Sequence, residues 1–329
     1  MGDSSQRKAG ILYGLVAYLW WGLVPLYFLK VQSVPPKEIL AHRIVWSVLI
    51  LLALTALSRS WSDLARVLSS RKLVLTLLLS ATLLAINWLL YIFATVTHRV
   101  TEASLGYYLM PLVNSAFAVV FLGEKLRPAQ YPALALIAIA VVLPIAVSGE
   151  LGGVWLVVAL PVTFGLYGLV RKMVAVDSLT GLTVESMLLL APSGVFLIWL
   201  MGNGTSRFGP DPNLNVLLML SGIVTVVPLL TYTLSIRRLP LIAVSFLQFV
   251  SPSAQFLLAV IYLGEDRPWE MWAASGIIWV SVLIFLADAA VQVRNSRKAR
   301  GRSAPSNENA DHLLLKIPAR DVHRPRLVD

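Results

Sequence analysis

The chain has no cysteine. Disulfides, thiolate metal sites and cysteine nucleophiles are therefore excluded. Histidine is scarce: there are four, and two of them, His312 and His323, lie near the C-terminus. That leaves little material for a multi-histidine metal site, and no metal or cofactor is expected. Charge is also scarce. Asp, Glu, Lys and Arg make up 13% of the 329 residues, against about 25% in a soluble domain. So few charges cannot solvate a globular surface in water, which points to lipid as the solvent. The short signatures of hydrolytic and nucleotide chemistry are missing: there is no G-x-S-x-G, no H-E-x-x-H and no phosphate-binding loop. An intramembrane hydrolase and a chain that burns ATP itself are thereby disfavoured.

What is present is hydrophobic: 57% of the residues, with a mean hydropathy of +0.77. A spanning helix needs about 20 mostly apolar residues. Ten segments qualify: 9–29, 38–57, 73–95, 102–122, 129–147, 151–170, 182–201, 214–236, 241–263 and 270–290. The breaks between them, such as "SVPPK", "SRSWSD", "VSGELGG" and "GNGTSRFGPDPN", carry residues that stop or cap helices.

Lys and Arg in the short loops predict the orientation. With the N-terminus inside, twelve basic residues fall on the inner side before the tail: Arg7, Lys8, Arg59, Arg66, Arg71, Lys72, Lys125, Arg127, Arg171, Lys172, Arg237 and Arg238. Five fall outside: Lys30, Lys37, Arg99, Arg207 and Arg267. Both termini are expected in the cytoplasm. Residues 1–8 read as a short cytoplasmic lead, and the first apolar run reads as a retained helix because it is long and lacks a small-residue cleavage site. From Val291 the text turns polar and basic, with nine Lys/Arg against four acids. It reads as a disordered cytoplasmic tail beside anionic lipid. No aromatic platform interleaves its charges, so nucleic acid is not an expected partner.

The chain repeats itself. Shifted by 141, Ser80 meets Ser221, Tyr91 meets Tyr232, Ser104 meets Ser245, Pro111 meets Pro252, and Leu122-Gly123-Glu124 meets Leu263-Gly264-Glu265. Shifted by 143, "WGL" at 21–23 meets "FGL" at 164–166. The halves are placed at 9–147 and 148–290, with the tail at 291–329. Five spans is an odd number, so the second half enters the membrane from the opposite side. The fold class expected is an all-α integral membrane protein of ten transmembrane helices in two inverted five-helix repeats. Two similar halves in opposite orientation can exchange inward-open and outward-open shapes around a midplane site.

Several stretches carry a family resemblance: "EILAHRIVWS" (38–47), "NWLLYIFAT" (87–95), "EASLGYYLMPLVN" (102–114), "FLGEK", "GLYGLVRK" with "DSLTGLTVES" (165–186), and "FLQFVSPSAQFLLAVIYLGE" (246–265). Over about residues 8–290 the sequence resembles the RarD-type branch of the EamA proteins, in the drug/metabolite transporter superfamily. The resemblance implies ten helices in two EamA repeats and a carrier in the bacterial cytoplasmic membrane. The tail falls outside it.

Polar groups inside a membrane are costly, so each needs a reason. Arg43 stands near the start of the second span, where the helix dipole disfavours a cation. It can hold a substrate carboxylate or phosphate, pair with Glu38 or Glu102, or snorkel to headgroups. His42 beside it can take a proton or serve as a structural hydrogen-bonding group. Ser104, Tyr107, Pro111 and Asn114 share one helix face, and so do their shifted partners Ser245, Gln248, Pro252 and Gln255. Each stripe has a proline that frees a backbone carbonyl. The stripes read as cavity lining, with helix-to-helix hydrogen bonding as the plainer alternative. Asn87, Trp88, Tyr91, Pro228, Thr231 and Tyr232 are further lining candidates. Glu185 and Glu102 stand near helix starts, where a carboxylate suits the dipole; coupling or gating is their other reading, shared with Pro111 and Pro252. The glutamates of the two Leu-Gly-Glu phrases read as solvated, and Trp20, Trp21 and Trp61 as an interfacial belt. The expected function is movement of a small organic solute (metabolite, amino acid or drug) by alternating access, coupled to protons or a counter-substrate. A membrane sensor or scaffold that transports nothing is the alternative.

Overall fold

The computed structural model describes residues 2–97, 99–148, 154–262, 264 and 269–302. Every regular element among them is helical: α1 (Gly2–Lys30), α2 (Pro36–Leu57), α3 (Trp61–Leu68), α4 (Arg71–Val96), α5 (Val100–Leu122), α6 (Gln130–Ser148), α7 (Val154–Met173), α8 (Ser178–Gly202), α9 (Pro212–Ile236), α10 (Leu241–Leu247), α11 (Val250–Leu257) with a π turn at Leu258–Tyr262, and α12 (Trp269–Arg302). Among the described residues ten candidate spans are long and apolar enough to cross a membrane. The chain forms two compact units, Met1–Ile284 and Phe285–Asp329. Residues 291–302, expected to begin a disordered tail, are helical, and 303–329 lie outside the described residues.

The helix pairing carries the repeat into three dimensions. α1 packs on α9 and α11, and the matching helix of the second half, α7, packs on α4 and α5. α2 packs on α9, and its counterpart α8 packs on α4; α2 and α8 also pack on each other, as do α5 and α10. Exchanging the halves turns this set of pairs into itself. Since successive spans alternate in direction, the two five-helix sets are inverted.

Small residues let these crossings close. A side chain at Gly222 on α9 would put its Cβ 2.7 Å from the Trp46 backbone carbon of α2. One at Gly22 on α1 would sit 2.6 Å from the Cβ of Ala254 on α11.

Two elements differ from the sequence-based expectation. The ninth span is not one helix. Pro252 has no N–H to give the Gln248 carbonyl, and the Ser251 N–H bonds that carbonyl instead, at 3.0 Å and three residues along. The helix therefore opens at Gln248–Phe249. Its twin α5 carries Pro111 without a break. The second difference is α3, placed where a plain loop was expected. Its Leu64 and Val67 are buried with Leu77, Val174, Val176 and Val184. Trp61 at its start is half exposed, as a belt residue would be.

Candidate functional site

A cavity of about 150 Å³ lies among α1, α2, α4, α5, α7, α9 and the break between α10 and α11. Matched positions of the two halves line it together: Trp21 with Phe164 at the 143 shift, and Trp88 with Leu229, Tyr107 with Gln248 and Met110 with Ser251 at the 141 shift. The cavity therefore sits where the two inverted halves meet. Trp21, expected in the interfacial belt, is one of its walls.

Arg43 breaks the symmetry of this lining, because its counterpart at the 143 shift is Ser186. Arg43 lies seven residues beyond Pro36, which is about 10 Å into α2 at ~1.5 Å per residue. Its Nε donates to Thr225 Oγ1 at 2.9 Å, and the Thr225 hydroxyl in turn donates to the Ser221 carbonyl at 2.8 Å. The guanidinium lies over the ring of Trp88 at 5.0 Å and that of Phe28 at 6.0 Å, an arrangement worth about 0.5–2 kcal/mol per ring. It lines the cavity. Glu38 is not its partner: Glu38 accepts from Ser206 Oγ at 2.8 Å and from the Arg207 N–H at 2.7 Å. Glu102 stands half-buried in the first turn of α5. Among the described residues no carboxylate lies within ion-pair distance of Arg43.

Of the other candidates, Asn87, Tyr91, Tyr107, Gln248, Pro252 and Gln255 line the cavity. Asn87 is held by donating to the Leu160 carbonyl at 2.9 Å and to Thr163 Oγ1 at 3.0 Å. Gln255 donates to the Trp21 carbonyl at 3.0 Å. That carbonyl is the one Pro25 leaves without its helical donor, so a side chain from the other half repairs a proline defect at the cavity wall. Tyr91 and Tyr107 pack ring to ring at 6.0 Å.

The remaining candidates stand elsewhere. His42 points away from Arg43: it is buried against the ring of Phe208 at 5.0 Å, and neither ring nitrogen has a partner among the described residues. Asn114 lies behind the wall, its amide 3.5 Å from Gln248 Oε1. Ser245 bonds the Leu241 carbonyl of its own helix at 2.8 Å. Tyr232 is buried behind Phe164, 5.2 Å away, and stacks on Tyr167 at 6.2 Å. Pro111 is buried within α5. The side chain of Ser104 lies outside the described residues, as do Glu265, His312 and His323.

A second polar centre lies apart from the cavity. Glu185 on α8 accepts from Ser80 Oγ on α4 and lies 3.5 Å from Arg171 on α7, with both charged side chains at most 1% exposed. Arg171 had been counted among the inner loop charges; it is instead fully buried. Its guanidinium lies so close to Gly181 that any Cβ there would collide with it. Near the ends of α7 and α9, Lys172 Nζ donates to the carbonyls of Ile236 at 2.9 Å and Leu239 at 2.6 Å. It also stands 3.8 Å from Glu124. Glu124 is not simply solvated: its carboxylate accepts from the first N–H groups of α10, Leu241 at 2.7 Å and Ile242 at 3.1 Å. Gly123 before it has φ 63° and closes α5 in the left-handed conformation, as a glycine cap does. Among the described residues no group of three or more metal-ligating side chains converges.

Comparison with known proteins adds four findings. Residues 8–145 match the EamA-like transporter family. The chain is 39% identical to Protein RarD of Escherichia coli (strain K12), over 90% of this chain and 100% of that one. It is 37% identical to Protein RarD of Streptomyces exfoliatus over 98% of this chain and 99% of the relative. The second likeness spans 324 residues and so reaches into the basic tail, which the sequence motifs alone had left out. A solved crystal structure at 20% identity shares the fold, with a TM-score of 0.64 over 84% of this chain and 97% of the other.

Proposed function

The chain belongs to the EamA-like transporter family, in the branch that carries the RarD name, and on that premise we propose that it is a secondary transporter moving a small organic solute by alternating access. It is a multi-pass bacterial membrane protein. The observation that carries the reading is the cavity itself, walled by matched positions of both halves and holding Arg43 with no carboxylate partner among the described residues. Rocking one half against the other would move the same walls toward either side of the membrane. In this reading Arg43, Asn87, Tyr91, Tyr107, Gln248 and Gln255 touch the solute. Pro252 keeps the α10–α11 break that aims Gln248 and Gln255 at it.

The ties near the ends of α7, α9 and α10 then act as a gate. The Glu124 contacts, with Lys172 and with the first N–H groups of α10, cross between the two halves and must break when the cavity opens to that side. Loop charge places that side in the cytoplasm, with both termini and the basic tail. The Glu185–Arg171 pair joins α8 to α7 and is the candidate for coupling to a proton or counter-substrate. The two EamA repeats are assigned to 9–147 and 148–290.

The test is counterflow in proteoliposomes, with solutes first chosen by their thermal stabilisation of the purified protein. A transporter exchanges labelled solute across the vesicle only when unlabelled solute is inside. A sensor or scaffold binds without exchange, and that result would end the proposal.

A further inference from the structure

We propose that the solute is a small organic anion with a ring-sized apolar body, its carboxylate or equivalent oxyanion seated on the outer edge of the Arg43 guanidinium. This rests on the transporter reading and names the class of its substrate.

Three features of the cavity converge on that class. The first is unbalanced charge. Arg43 is the cation of the cavity wall, and no carboxylate among the described residues lies within ion-pair distance of it. A guanidinium without a counter-ion in a low-dielectric pocket costs several kcal/mol. A bound anion removes that cost, and a bound cation raises it.

The second is orientation. Thr225 has committed its hydroxyl proton to Ser221, so it can only accept from Arg43, and it takes Nε. Trp88 and Phe28 cover the guanidinium plane. What stays open is the edge bearing the two terminal nitrogens, which have no protein partner among the described residues. That edge matches the two oxygens of a carboxylate in a pair of parallel hydrogen bonds.

The third is shape. The remaining wall is largely aromatic and aliphatic, with Trp21, Phe164, Val24 and Leu229 among its parts. Its volume of about 150 Å³ is that of a cavity known to hold one benzene molecule. An inorganic ion would leave this surface empty, and a large drug would not fit without further opening.

The experiment uses the full-length protein in lipid nanodiscs and three probes of one shape: benzoate, benzyl alcohol and benzylamine at equal ionic strength. Thermal unfolding is followed against concentration. Benzoate should raise the midpoint and bind about 10- to 100-fold more tightly than the other two, the span expected for one hydrogen bond to a charged group. Arg43→Gln should abolish the preference. Thr225→Val, which keeps the charge but frees the guanidinium to turn, should weaken benzoate less. If Arg43→Gln does not fold, the selectivity of the wild type and of Thr225→Val decides.

Equal binding of the three probes, or a preference for benzylamine, overturns the inference, and the transporter reading survives if counterflow of any solute is seen. Benzoate preference that depends on Arg43 without exchange of any solute upholds the anion site and removes the transporter reading.

Discussion

Single residues decide whether buried charge is tolerated, and the chain solves that problem twice in different ways. Arg43 is held by one hydroxyl and two rings and has no acid beside it among the described residues. Arg171 has its acid: Glu185 at 3.5 Å, with Ser80 on the same carboxylate. Breaking a buried pair by removing one partner costs about 3–5 kcal/mol, whereas replacing both by apolar groups of similar size is often neutral or better. Glu185→Gln should therefore lower thermal stability by that order, and the double change Arg171→Met with Glu185→Leu should restore most of it. If the pair also takes part in the transport cycle, the restored double variant should remain inactive in counterflow. Full recovery of both stability and transport would leave the pair a structural tie and remove it from the coupling mechanism. The sequence pointed to Glu185 but not to its partner. Arg171 sits in an ordinary-looking "VRK" at a helix end, where cations favour the dipole, and only the tertiary contact with α8 shows that it is buried.

At the scale of elements, the apolar runs and their breakers were enough to locate ten helices, because span length is set by the bilayer and not by packing. Two elements escaped. α3 is short, and its apolar face, Leu64 and Val67, is legible only against the valines at 174, 176 and 184 that cover it. The opening of the ninth span was half legible. Pro252 marked a freed carbonyl, but Pro111 carries the same mark in α5, which stays continuous. The twin helices differ in what surrounds them, and a repeat aligned by sequence cannot tell which will break. If the break places Gln248, Ser251 and Gln255 around the solute, Pro252→Ala should return an N–H to the Gln248 carbonyl and straighten the segment. A proline in a helix interior costs about 3 kcal/mol, so the variant should unfold at a higher temperature and exchange solute several-fold more slowly. A more stable protein with wild-type exchange would show that the break is not needed for the site. Pro111→Ala provides the comparison, since α5 has no break to close.

For the whole molecule, the symmetry legible in the sequence survives in the pairing of helices and in the lining of the cavity, while Arg43 and the α10–α11 break depart from it. Direction in the membrane is the property on which the inverted arrangement stands, and it can be tested because the native chain has no cysteine. Loop charge predicts the α8–α9 connection outside and the α5–α6 connection inside. Thr205 lies exposed in the first and Lys125 in the second. Each can be changed to cysteine, giving one thiol per molecule. In intact cells a membrane-impermeant maleimide should modify Thr205→Cys and spare Lys125→Cys, and both should react once the membrane is opened. The second half repeats the first with opposite sense, so one further pair of sites tests the inversion. Ser58, exposed beside Arg59 after α2, should behave as an inner position when changed to cysteine. Asn203, at the end of the matching helix α8, should behave as an outer one. Ser58 and Asn203 follow equivalent helices, so labelling both from the same side would mean that the halves run parallel. Exchange of access between two inverted halves would then be untenable, whatever the cavity binds.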